Sequence, residues 1–285
     1  MASRSAKLTE GSVARHLFNM TLPMLIGITT LMAQSFIDAY FLGIVGDRAL
    51  AAFSFGYPII MIVTSVAIGL GAGTSSVVAR ALGADDHERA KRLSTDSLLL
   101  CLVIAGACMV IGIASINPLF RALGAPEDLL PLIRGFMKIV YFAVPFIVLG
   151  MVATSTMRAT GDTRLPSMLM IGGAILNVVL DPIFIFGLGP IPELGLNGAA
   201  IAAFLSRGLF FFAAFYYLAF RLDLVTLEKP DREVMRRSWR DILHVGLPAA
   251  GTNIIVPLGL TLVTAMIAQF GPQAVAGFGA VSYTH

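Results

Sequence analysis

The sequence predicts an all-α integral membrane protein, a polytopic helix bundle with a six-helix first lobe and the opening of a parallel-repeat second lobe. Three observations carry that reading. The chain of 285 residues is 57% hydrophobic and 13% charged, with a mean hydropathy of +0.84, whereas a soluble domain carries roughly 25% charge. Apolar runs recur at lengths that meet or approach the roughly 20 residues a helix needs to cross about 30 Å of hydrocarbon. Basic residues collect in every second connection between those runs.

The runs are Leu17–Leu42, Ala51–Ala79, Leu98–Ile116, Leu129–Ala153, Leu165–Phe186, Ala199–Phe220 and Ile242–Ala268, so seven spans are predicted and an eighth begins after them. The first run is too long for a signal-peptide core and lacks a small-residue cleavage pattern behind it, which predicts a retained helix.

Orientation follows from Lys and Arg, which cytoplasmic loops retain. Arg4, Lys7 and Arg15 precede the first span, and Arg80, Arg89, Lys91 and Arg92 follow the second. Arg158 and Arg164 follow the fourth, and Arg221, Lys229, Arg232, Arg236, Arg237 and Arg240 follow the sixth. The alternate connections hold only Arg48, Arg121, Arg134 and Lys138. A cytoplasmic amino terminus is therefore expected, in a bacterial inner membrane. The net charge of +3 describes loops beside anionic lipid; no basic folded face points to nucleic acid.

The longest polar connection divides the chain into residues 1–220, a first lobe, residues 221–241, a cytoplasmic linker with a short amphipathic segment around Val234–Trp239, and residues 242–285, the start of a second lobe. At a constant offset of 225, Leu22-Pro23 matches Leu247-Pro248, and the Gly46, Ala49, Ala51, Phe53 pattern matches Gly271, Ala274, Ala276, Phe278. Span seven thus repeats span one. Six helices between equivalent points return the chain to the same side, which predicts two lobes related by an axis along the membrane normal. A full second lobe needs four or five further helices, so the chain reads as truncated within span eight.

Asp38 and Asp181 are the two carboxylates inside the apolar runs. An ionisable group in hydrocarbon costs at least about 2.5–3.5 kcal/mol on insertion scales and marks a functional site by default. Asn177 and Asp181 stand four residues apart on one face of span five, and Gln34 and Asp38 repeat that spacing in span one. Pro182 removes the donor that would bond the Val178 carbonyl and predicts a kink there; Pro23 predicts another in span one. Two carboxylates, two amides and a freed carbonyl suit either a sodium ion or a proton held between carboxyl groups.

The stretch Arg158-Ala-Thr-Gly-Asp162-Thr-Arg164-Leu-Pro166, with Asn177-Val-Val-Leu-Asp181-Pro182-Ile-Phe-Ile-Phe-Gly187 and Gln34-Ser-Phe-Ile-Asp38, resembles the multidrug and toxic compound extrusion family. Aspartates in both span one and span five resemble the branch named for a DNA-damage-inducible protein. The resemblance implies export of amphipathic, often cationic compounds in exchange for protons or sodium by rocking of two lobes, with a cation site in the first. It also implies a hydroxyl near the start of span six, where this chain has Ala203; that departure favours the proton. Arg207, in the middle of span six, has no counterpart in the resemblance. It is expected to pair with Asp38 or Asp181, to line the cavity, or to snorkel. Met32, Phe36 and Tyr40, with Met20, Phe53 and Phe146, are candidates for a soft cavity wall that accommodates varied cations.

Other chemistries find no support. Gly69-Leu-Gly71-Ala-Gly73-Thr-Ser-Ser lacks the ending of a phosphate loop and lies within span two, which predicts a close helix-packing surface. Cys101 and Cys108 are seven residues apart on one span, too far for a disulfide and without company for a metal. The four histidines lie at span ends, in loops or at the terminus, and no nucleophile with a paired base suggests an enzyme. No cofactor is expected beyond the coupling ion, H+ or Na+. The partners expected are small amphipathic substrates, membrane lipid and, for a half-length chain, a second copy. Two alternatives stand beside the exporter: a related flippase for lipid-linked oligosaccharides, which needs a cationic cavity, and a fragment that transports nothing and serves in assembly.

Overall fold

A computed structural model describes residues 12–188, 191–226, 228 and 231–284. Arg4, Lys7, Lys229 and His285 lie outside them, as do the side chains of Arg15 and Met20. The described chain is a bundle of eight α-helices: α1 (Val13–Val45), α2 (Asp47–Gly83), α3 (His87–Ala122), α4 (Leu130–Ala159), α5 (Arg164–Ile185), α6 (Gly195–Tyr216), α7 (Arg232–Ile267) and α8 (Pro272–Thr284). Seven of them are long and apolar enough to cross a membrane, at the places the seven apolar runs predict. Several outrun the bilayer: 37 residues in α2 extend about 55 Å at 1.5 Å per residue, against about 30 Å of hydrocarbon.

The centre of the bundle is α2 against α4, with α3 beside both, α6 behind α4 and α7 along α2. The helix α5 packs on α6, and α1 is held chiefly by α5. Water gives helices no reason to associate within lipid, so close approach of small residues takes its place. The Gly69-to-Gly73 motif does this on two sides. A Cβ at Gly69 would sit 2.5 Å from the Ala250 Cβ, one at Gly73 would sit 2.3 Å from the Ile242 carbonyl oxygen, and one at Gly71 would meet Ser155 Oγ on α4 at 2.5 Å. The motif is the packing surface its sequence predicts, and it joins α7 to α2 backbone against backbone. Cys101 and Cys108 are both free.

The repeat at offset 225 is visible in the backbone. Gly46, between α1 and α2, has φ 134° and ψ 165°; Gly271, between α7 and α8, has φ 98° and ψ 169°. This conformation belongs essentially to glycine alone. No atom lies within 4 Å of a Cβ built at either position, so backbone angle rather than space demands the glycines.

The linker differs from its expected form. Val234–Trp239 is not a separate amphipathic piece, because α7 starts at Arg232, capped by the Asp231 side chain on the Glu233 amide, and continues into span seven. The segment before it is strapped to the foot of α3. Lys91 Nζ meets Asp223 Oδ1 at 2.6 Å, the Thr226 amide donates to Thr95 Oγ1 at 2.9 Å, and Arg92 Nη1 donates to the Glu228 carbonyl at 3.3 Å. Beneath the strap lies a third buried carboxylate that the apolar runs did not expose. Asp96 is 0% exposed and paired with Arg92 at 3.1 Å.

Candidate functional site

The fold places Asp38 and Asp181 toward the end of the bundle opposite the linker, seven residues from the end of α1 and four from the end of α5. Each helix presents an amide one turn before its carboxylate, and the packing of α1 on α5 brings the two pairs face to face. The Gln34 Nε2 donates to Asn177 Oδ1, and Asn177 Nδ2 donates to Asp181 Oδ1 at 3.2 Å. The Asp38 and Asp181 carboxyl groups lie within hydrogen-bonding reach of each other, and Gln34 also reaches Asp38. The four side chains close a ring of two amides and two carboxyls.

Asn177 and Asp181 are 2% and 1% exposed, and Gln34 and Asp38 are half-buried. One oxygen of each carboxyl, Oδ1 of Asp38 and Oδ2 of Asp181, has no hydrogen-bond partner. Two buried carboxylates facing each other with bare oxygens repel; one proton or a cation between them removes the repulsion. The ring therefore leaves two carboxyl oxygens without a donor among the described residues, an arrangement that suits a proton or a cation.

The surrounding elements fix its dimensions. The turn between α5 and α6 is drawn tight by the Leu194 amide on the Phe184 carbonyl at 3.2 Å. A Cβ at Gly198 would lie 2.2 Å from that same carbonyl oxygen. This close approach sets the register between Asp181 on α5 and Ala203 and Arg207 on α6. At the other end of the pair, a Cβ at Gly27 of α1 would lie 3.6 Å from the Ser167 Cα of α5. Pro182 lies one residue beyond Asp181, and α5 continues past it to Ile185; α1 runs through Pro23 as one helix.

The other predicted residues divide. Arg207 is half-buried, and its charge acts on Asp38 across space. No hydrogen bond or ion pair closes on its guanidinium among the described residues. Met32, Phe36 and Tyr40 stand 60%, 41% and 68% exposed along α1, away from the ring. Among the described residues no cluster of His, Cys, Asp and Glu is arranged to hold a metal ion.

Residues 23–183, which contain the whole of the ring, match the MatE family profile. The chain belongs to the MatE family. A Shewanella oneidensis protein named FAD transporter is 41% identical over 273 residues, covering 96% of this chain and 60% of its own length. The multidrug export protein MepA of Staphylococcus aureus is 26% identical over 95% of this chain and 59% of its own length. The bundle superposes on a mutant of the Vibrio cholerae MATE transporter VcmN with a TM-score of 0.83 and 30% identity, over 99% of this chain and 62% of that one. As a MatE protein, the chain spans about 60% of the length of the curated relatives it matches. Its resemblance to multidrug extrusion proteins, read from the motifs around Asp162 and Asp181, is thereby established at the level of family.

Asp96 is the buried group that sequence reasoning passed over. It stands two residues before the run that begins at Leu98, outside every apolar run. The usable signal was Arg92 four residues before it, the spacing of a helical ion pair.

Proposed function

We propose that the chain is the ion-coupling lobe of a secondary active exporter, with Asp38 and Asp181 binding the cation whose influx drives efflux of amphipathic, often cationic compounds. The closed ring of Gln34, Asp38, Asn177 and Asp181 carries this reading, because two of its carboxyl oxygens have no donor among the described residues and suit a proton or Na+. Relatives named for multidrug export support the substrate class. Alternate loading and unloading of the ring changes the charge between α1 and α5, and α1, held mainly by α5, is the element whose position that charge biases. The distribution of Arg and Lys supports an inner-membrane protein with a cytoplasmic amino terminus.

The test is efflux of a fluorescent cationic dye from cells expressing this chain alone, and the chain joined to the second lobe of a full-length relative. Each is measured with and without Asp38→Asn and Asp181→Asn. Dye export by the joined protein, abolished by either substitution, is expected; export that survives neutralisation of both aspartates would falsify the site. Activity of the chain alone would mean that two copies associate to complete the cavity.

A second cargo is favoured by the Shewanella relative, whose name is FAD transporter and which is 41% identical. Flavin dinucleotide in the medium of cells expressing the joined protein, measured by its fluorescence, distinguishes that cargo from the dye.

A further inference from the structure

We propose that Arg207 is a resident counter-cation of the Asp38–Asp181 site, one that keeps Na+ out and leaves the site to a single exchangeable proton. This rests on the coupling site proposed above and adds the identity of its ion.

The placement comes first. Arg207 stands one turn beyond Ala203 on α6, and side chains on a helix lean toward its amino-terminal end. That direction leads from Arg207 past Ala203 toward the α5–α6 turn beside Asp181. The guanidinium is fastened by no hydrogen bond or ion pair among the described residues, and its charge acts on Asp38. A charge held unpaired at membrane depth is costly unless a counter-charge offsets it, and the carboxylates of the ring supply that charge.

Charge counting follows. With both aspartates ionised, Asp38, Asp181 and Arg207 sum to one net negative charge, and one proton brings the group to neutrality. Without Arg207 the same pair would call for two cations. Arginine stays protonated in proteins and brings donors without an acceptor, so it occupies a cation's electrostatic place while offering a sodium ion no ligand.

Ligand counting agrees. The Asn177 Oδ1 already accepts from Gln34, and Asp181 Oδ1 accepts from Asn177. Among the fully buried side-chain oxygens of the ring, Asp38 Oδ1 and Asp181 Oδ2 are the two without a partner, and Ala203 adds none. Two facing carboxyl oxygens suit a shared proton, whereas hard metal cations gather a larger shell of oxygens. Among the described residues the charged neighbours of the site are few. The groups acting on Asp38 are Asp181 from α5, Arg207 from α6 and Gln34 from its own helix. Asp47, Arg48, Tyr57 and Arg80 of α2 are not among them, and α8 carries no charged residue.

The experiment is infrared difference spectroscopy of the whole chain in lipid nanodiscs, following the carbonyl stretch of a protonated carboxyl group assigned by its loss in Asp181→Asn. Sodium chloride replaces choline chloride at constant pH. The wild-type band is expected to be unchanged by Na+, as is that of Arg207→Lys, while Arg207→Gln is expected to lose its band when Na+ is added. Loss of the wild-type band in Na+ overturns the proposal. So does loss of the band in Ala203→Thr with Arg207 in place, because the missing hydroxyl would then set the selectivity. A folded Arg207→Gln that ignores Na+ overturns it as well; should that variant not fold, the wild-type and Ala203→Thr arms still decide. A wild-type chain with no band assignable to Asp181 removes the coupling site itself, and this inference with it.

Discussion

The indole of Trp239 donates its Nε1–H to the main-chain carbonyl of Asp96 at 2.9 Å, so the one tryptophan of the chain joins the foot of α7 to the foot of α3. The same Asp96 pairs its side chain with Arg92 at 3.1 Å. A helix carbonyl two turns in from the end of α3 is already bonded within its helix. The indole therefore gives that carbonyl a second hydrogen bond, at the residue that carries the buried carboxyl.

Asp96 should behave as half of an ion pair whose loss is asymmetric. Asp96→Ala leaves the Arg92 guanidinium buried with no counter-charge, and a loss of about 3–5 kcal/mol is expected. Arg92→Met with Asp96→Leu removes both charges and should recover most of it. Thermal unfolding of the purified variants in one detergent compares them; equal losses in the single and double variants would show that the pair is not the source of the effect.

The α2–α7 crossing should tolerate no added atom at Gly73. A Cβ there would overlap the Ile242 carbonyl oxygen, which belongs to backbone and cannot swing aside. Gly73→Ala is expected to cost about 1–3 kcal/mol through overpacking. It should also lower the yield of a disulfide engineered between α2 and α7. An unchanged melting temperature together with an unchanged disulfide yield would contradict the packing described.

Gly46 and Gly271 should resist alanine for a different reason. Space is open around both, and the cost is conformational, about 1–3 kcal/mol each. Gly43 is the control: it lies inside α1, also with no atom within 4 Å of a Cβ, and Gly43→Ala is expected to be stabilising by about 0.5–1 kcal/mol. The three melting curves, run side by side, separate backbone strain from crowding.

Arg121, in the last turn of α3, meets Glu127 of the following loop at 2.8 Å, and the guanidinium holds that carboxyl below the usual carboxylate range. The stabilisation is present above the ordinary value and is lost as pH falls through the lowered one. Arg121→Ala should move the Glu127 titration up to its ordinary range, as read from the carboxyl carbon shift of labelled glutamate. Both groups are fully in solvent, so the melting temperature should barely respond.

Hydropathy made the spans legible because hydrocarbon leaves a chain few choices: backbone polar groups must pair within the segment, and the segment must be long enough. The four residues of the ring were legible for a related reason. Asp38 and Asp181 stand out because a carboxylate in an apolar run has a cost, and the spacing to Gln34 and Asn177 fixes which face they share. The pairing of the two faces across α1 and α5 was not legible, since helix contacts within lipid follow small-residue complementarity rather than a hydrophobic stripe. Asp96 was hidden because a charge at the edge of a run looks solvated, and what buries it comes from residues 223–239, more than 120 positions later. The linker misled for the same reason: its amphipathic pattern is that of a helix end resting on a neighbour, and sequence alone does not show the neighbour.

That separation orders events during synthesis. Six helices leave the ribosome before Thr226 and Trp239 exist, so for that interval Thr95 and Asp96 sit at the foot of α3 without these partners. The strap closes by bonds spanning 131 to 143 residues, after α6 is complete and as α7 begins. A chain cut at residue 220 would hold Gln34, Asp38, Asn177 and Asp181 and yet keep the unfinished foot of the nascent protein. The bonds that complete α3 thus come from the segment before α7 and from its first turns.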